Sequence, residues 1–291
     1  MYSYCLFLAE RNVKVDLSFN LFRPKLRKRK AFKKLLMMLI LFFAIYTGYF
    51  IFKTKALSLA GLYSAFKKAL AVYLSYALFL EMEPDYIGGR PIPTALCGAV
   101  LIFFPSVSLG FLLLTLALTR FMTMSSGLSP TVSDYALIGF LALVMFFRGS
   151  YIFMLYVTVI MIYDFASGSH RLLSLVLGLL SMGIAALNFF KMYFVAPVKG
   201  SLIEAAVLTG IVILYLFRLS FVKRVLTTDD TGLKFISPGR LRASNLFMCI
   251  FIIIYYINFA DMGTLSVLLV PMGFSVFPFI DDIIRKEHAD S

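Results

Sequence analysis

The chain has 291 residues, of which 61% are hydrophobic and 15% charged, with a mean hydropathy of +0.90 and a net charge of +13. An ordinary soluble domain is about 45–50% apolar and about 25% charged, and so few polar side chains cannot cover a water-facing surface of this size. Composition therefore excludes an ordinary soluble domain and points to an all-α, polytopic integral membrane helical bundle whose exterior faces lipid.

The positive charge lies where a membrane protein carries it. Ten of the 28 Lys and Arg fall in residues 1–34 and six more between Arg218 and Arg242. These flank apolar runs, as the positive-inside bias requires. The implied partners are the lipid bilayer and anionic lipid headgroups, with room for a membrane protein partner and none for nucleic acid. Cys5, Cys97 and Cys249 have neither CxxC nor zinc-type spacing and read as reduced packing residues.

In chain order, residues 1–34 read as a retained basic cytoplasmic segment, residues 35–280 as the transmembrane domain and residues 281–291 as a short charged cytoplasmic tail. Leu35–Phe52 is just long enough to span. Leu57–Leu80 spans only if Lys67 and Lys68 snorkel to the interface; otherwise it lies along the surface. Ile92–Thr119 is interrupted at Pro105, and Tyr135–Tyr163 at Arg148-Gly149-Ser150. Each is either one broken span or a pair of short ones. Leu172–Phe190, Leu202–Val222, Leu246–Ala260 and Met262–Ile280 complete the set. About eight spans result, or ten if both interrupted runs are hairpins.

In either count the termini share a side with the loops at 81–91, 164–171 and 223–245. In the eight-span arrangement 20 Lys and Arg fall on that side and seven opposite, with Arg148 inside. This places both termini in the cytoplasm of a cell membrane protein.

The densest chemistry is Glu81-Met-Glu83-Pro-Asp85, followed by Arg90. Three carboxylates this close suit a hard divalent cation such as magnesium; they also read as a solvated helix end before a Pro-Gly turn. Arg148 is either a cation facing a cavity or part of a tight turn. Asp164, Ser167, Ser169 and His170 sit together, but a triad needs convergence in space, and Ser169 reads as an N-cap. His170 could titrate near neutral pH. Lys234, Arg240 and Arg242 could hold phosphate or lipid headgroups. Glu204 sits in the first turn of its helix, where the dipole favours it, and Asp261 reads as the loop between the last two spans.

Over Asp85 and Arg90-Pro-Ile-Pro-Thr94 alone, the chain resembles the membrane prenyltransferases of the UbiA type. These carry an aspartate-rich loop followed by a similar Arg-Pro-Ile-Pro. The family's Asn-Asp opening and aspartate spacing are missing, and Asp229-Asp230 lacks the spacing of its second motif. What the resemblance implies is magnesium-diphosphate chemistry on the cytoplasmic face.

Three functions remain open. A transporter or permease for a small solute or lipid is expected first, because interrupted apolar segments mark transport sites. That reading needs no cofactor. The alternative is a magnesium-dependent enzyme acting on a lipid-linked phosphate, with Glu81, Glu83 and Asp85 on the metal. The third is a non-catalytic subunit or scaffold, which would present an exterior groove.

Overall fold

The computed structural model describes residues 29–55, 58–85, 91–104, 106–125, 129–147, 151–169, 171–192, 200–222, 225–228 and 234–289. Arg90, Pro105, Arg148, His170 and Asp229-Asp230 lie outside the described residues, as does the basic segment before Arg29.

Among the described residues there are ten α-helices and no strand. They are α1 (Arg29–Thr54), α2 (Leu59–Met82), α3 (Pro91–Val100), α4 (Leu109–Thr123), α5 (Val132–Phe147), α6 (Ile152–Asp164), α7 (Leu172–Met192), α8 (Leu202–Ser220), α9 (Pro238–Phe259) and α10 (Met262–Ala289). Both interrupted runs are pairs of short helices. Helix α1 opens inside the basic stretch, and α10 carries the charged tail on as helix to Ala289.

The helix ends follow local chemistry. Ser58 caps α2, its hydroxyl accepting from the Gly61 amide (3.1 Å). Ser201 and Glu204 form a reciprocal capping box on α8. The Asp134 carboxylate accepts from the Thr131 amide at 2.9 Å at the head of α5. Ala260, in the left-handed region at φ 46°, ends α9, and Asp261 accepts from the Thr264 amide (3.1 Å) to open α10. One expected cap is corrected. Ser169 closes a π-helical turn, Phe165–Ser169, and α7 begins only at Leu172, so a wider turn continues α6 where a cap was expected.

Helix α2 starts well before its lysines, and Lys67 and Lys68 lie over the rings of Tyr63 and Tyr46 at 5.5 and 5.7 Å. The aromatic faces hold the ammonium groups without ending the helix. Tyr46 also donates to the Gly98 carbonyl (2.6 Å), tying α1 to α3.

Helix α4 is the hub, packed against α2, α5, α6, α9 and α10. Its Phe111, fully buried, stacks on Tyr255 of α9 at 4.1 Å between ring centroids and meets Phe153 of α6 edge-on at 6.1 Å. Tyr156 and Phe251 stack at 3.8 Å, nearly parallel.

The break before α4 lies against the start of α10. The Ser108 amide donates to Thr264 Oγ1 (2.7 Å), and a Cβ on Gly263 would meet the Ser106 carbonyl oxygen at 2.4 Å. Gly263→Ala is therefore expected to destabilise the protein by about 1–3 kcal/mol, although alanine in a helix normally gains up to about 1 kcal/mol over glycine. Thermal unfolding in detergent measures the sign; stabilisation would mean that the break does not approach α10 so closely.

Two helices, α8 and α9, are long and apolar enough to cross a membrane. At 15, 16 and 13 residues, α4, α5 and α6 rise about 22, 24 and 20 Å, short of a hydrocarbon core of about 30 Å. Large apolar side chains cover the outside of the bundle. On α8, Ile213, Leu214 and Phe217 are all more than half exposed, and on α7 Leu180 is 60% exposed.

Candidate functional site

The polar groups of separate helices gather at one end of this apolar bundle. The ends of α2, α4, α6 and α8 meet the beginnings of α7 and α9 there, so residues 81–85, 164–169 with Arg171, 225–228 and 234–245 share one end. Arg120 is found there too. The eight-span arrangement had put it opposite, but the reversal at 101–108 returns α4 to this end.

Each carboxylate singled out in the sequence has a partner from elsewhere in the chain. Glu81 faces Arg120 Nε at 3.4 Å, and Thr123 Oγ1 donates to its other oxygen (3.4 Å). Glu83, only 4% exposed, pairs with Arg218 of α8. Burial pushes its carboxyl up to about 7, against the opposing pull of the Arg218 guanidinium. Asp85 accepts from the Leu226 amide (3.0 Å), the Thr227 amide (2.7 Å) and the Thr227 hydroxyl (2.7 Å), pinning the turn after α8.

Asp164 is fully buried. It pairs with Arg240 of α9, accepts from the Ser174 hydroxyl (2.8 Å) and stands 3.9 Å from Arg171. Ser174 in turn shares a hydrogen bond with the Tyr135 hydroxyl (3.0 Å).

These contacts close a ring. Glu81–Arg120 joins α2 to α4, and Arg171 reaches Met124 Sδ (3.9 Å) beyond the end of α4. Ser174–Asp164–Arg240 then joins α7, α6 and α9. Asn245 Nδ2 donates to the Met82 carbonyl (3.4 Å), returning α9 to α2. Helix α8 is attached to the ring through Glu83–Arg218.

Several expectations change. Glu81, Glu83 and Asp85, expected on magnesium, each meet a protein partner: Arg120, Arg218 and the amides of Leu226 and Thr227. Arg240, expected on phosphate, is the counter-ion of Asp164. Lys234 and Arg242 are exposed. Sequence reasoning missed Arg120, Arg171 and Arg218 as site residues. The available signal for Arg120 and Arg218 was their position as single cations in the last turns of apolar helices, where the helix dipole favours them; Arg171, before the start of α7, carried no such signal.

On the flank of the bundle, a shallow apolar groove runs between α6 and α9. It is lined at i, i+3, i+4, i+7 spacing by Ile152, Leu155, Tyr156 and Val159 on one side. Compared with protein-family models, curated proteins and solved structures, the chain gives no match in any of the three.

Proposed function

We propose that this chain is a multi-pass membrane protein of the transporter or permease type, moving a small solute or lipid, with both termini and the ring of ion pairs on the cytoplasmic face. The observation that carries this reading is the ring itself. Charge pairs join separate helices at one end of a bundle whose other exposed side chains are largely apolar. Such pairs have two discrete arrangements, made and broken, and a closure that alternates needs elements of that kind. The short, broken helices α3 to α6 belong to the same reading. The basic loops on the ring side support a cytoplasmic orientation.

Two measurements test it. Single cysteines replacing Lys55 and Lys234 are expected to label from opposite faces of sealed vesicles; labelling from one face sinks the topology. Liposomes of phosphatidylcholine and phosphatidylglycerol, holding the purified chain and a pH-sensitive dye or entrapped tracer, are challenged with pools of small solutes. Flux above protein-free liposomes supports transport, and none across the pools counts against it.

The second reading, a cytoplasmic-face enzyme for a lipid-linked phosphate, draws on the junction of Asp85 with Leu226 and Thr227, which brings the two polar loops together. It predicts magnesium-dependent diphosphate release from a prenyl diphosphate. Against it, Glu81 and Glu83 are already engaged by arginines.

A further inference from the structure

Glu83 differs from the other acids of the ring in what surrounds it. It lies at the junction of α2, α8, α9 and α10. Arg218 and Tyr215 face it from α8, Ser275 stands beside it from α10, and Asp85 acts on it from its own segment. Ser275 has a single hydroxyl proton, for which the Met272 carbonyl (2.7 Å) competes with the Glu83 carboxyl. From α9, Asn245 binds the neighbouring Met82 carbonyl, and Cys249 lies behind Tyr215. From α4, Arg120 is engaged by Glu81.

Buried polar atoms without a partner gather around this junction: Glu83 Oε1, Arg218 Nε, the Tyr215 hydroxyl, the Ser244 hydroxyl and Asn245 Oδ1. Buried polar groups are ordinarily hydrogen-bonded, and each one left unmatched carries its desolvation cost without a compensating bond. An anion with one oxygen unmatched, shut away from water and held by a single arginine, gains by taking up a proton. Proton uptake puts a donor on the carboxyl and leaves Arg218 without its counter-ion. Asp85, the other acid acting on this carboxyl, is exposed and is engaged with the turn at Leu226 and Thr227.

We infer that Glu83 is a proton-binding site, and that proton uptake there releases Arg218 and frees α8 from the end of α2. This rests on the transport reading for its purpose, where the proton is the coupling ion, but not for its measurement. The carboxyl holds more protons in the folded protein than a free glutamate does between pH 4.5 and about 7. The charged, latched form therefore dominates above about pH 7 and the neutral, released form below it.

Cys249 reports the release, because it is buried on α9 beside Tyr215 of α8. The full chain carrying Cys5→Ser and Cys97→Ser is labelled with a maleimide in lipid nanodiscs, with and without Glu83→Gln. Dividing the two rates removes the thiol's own pH dependence. The ratio is expected near one at pH 6 and to fall about fivefold between pH 7 and 8, as the protonated fraction does above a midpoint of about 7. A ratio constant with pH overturns the inference. Infrared titration of the unsubstituted chain gives an independent reading. A protonated-carboxyl band lost between pH 6 and 8 supports the site, and its absence overturns it. Titration without solute flux in the liposome assay would keep the proton site and sink the transport reading; flux with a constant ratio would do the reverse.

Discussion

Arg240→Ala is expected to destabilise the protein by about 3–5 kcal/mol, because it leaves a buried carboxylate without its counter-ion. Asp164 is fully buried, and the remaining cation, Arg171, is 3.9 Å away. Arg171 and the Ser174 hydroxyl soften the loss towards the lower end of that range. The double variant Asp164→Asn/Arg240→Gln should recover most of the stability, since a neutral pair of similar shape carries no unmatched charge. Thermal unfolding of the purified chain and its variants in one detergent checks both. An unchanged transition for Arg240→Ala would mean that the pair does not exist. Loss in the double variant equal to that of the single would mean that the charge itself is not what matters. On the proposed transport reading, loss of this pair between α6 and α9 is expected to appear as leak from Arg240→Ala liposomes.

Phe111→Ala is expected to cost about 3–5 kcal/mol. The ring is completely buried in the first turn of α4, stacked on Tyr255 and Phe251 and edge-on to Phe153. Its removal empties the place where α4, α6 and α9 meet, and neither lipid nor water reaches there to fill it. Phe111→Leu, closer in volume, should cost less, at about 1.5 kcal/mol or below. The comparison is read from midpoints of thermal unfolding. Equal losses would show that the aromatic stacking outweighs the volume, and no loss from either would remove α4 from its central position.

Much of the fold is legible in the sequence. Ser201 and Glu204 announce a helix start through capping-box spacing, and the structure has it there. Asp261 alone between two apolar runs marks the junction of α9 and α10, and it caps the second. The interruptions at Pro105 and at residues 148–150 mark the places where two long runs divide. Hydropathy could not decide between a kink and a reversal, because both carry the same residues. That decision came from Gly263 and Thr264, which receive the break from 156 residues away in the case of Ser108.

The candidate site was legible only by halves. The acids stood out, since three carboxylates within five residues are conspicuous in a basic, apolar chain. Their arginines did not, because Arg120, Arg218 and Arg240 are 39, 135 and 76 residues from Glu81, Glu83 and Asp164. Composition and the spacing of apolar runs by themselves determined an all-helical chain and some of its helix ends, because these depend on local backbone chemistry and on hydrophobic length. Only the tertiary structure decided which groups neutralise one another, resolving a cluster of three carboxylates into two ion pairs and one carboxylate held by backbone amides. Electrostatic attraction selects partners by distance in space, and packing around Phe111 and Gly263 sets those distances.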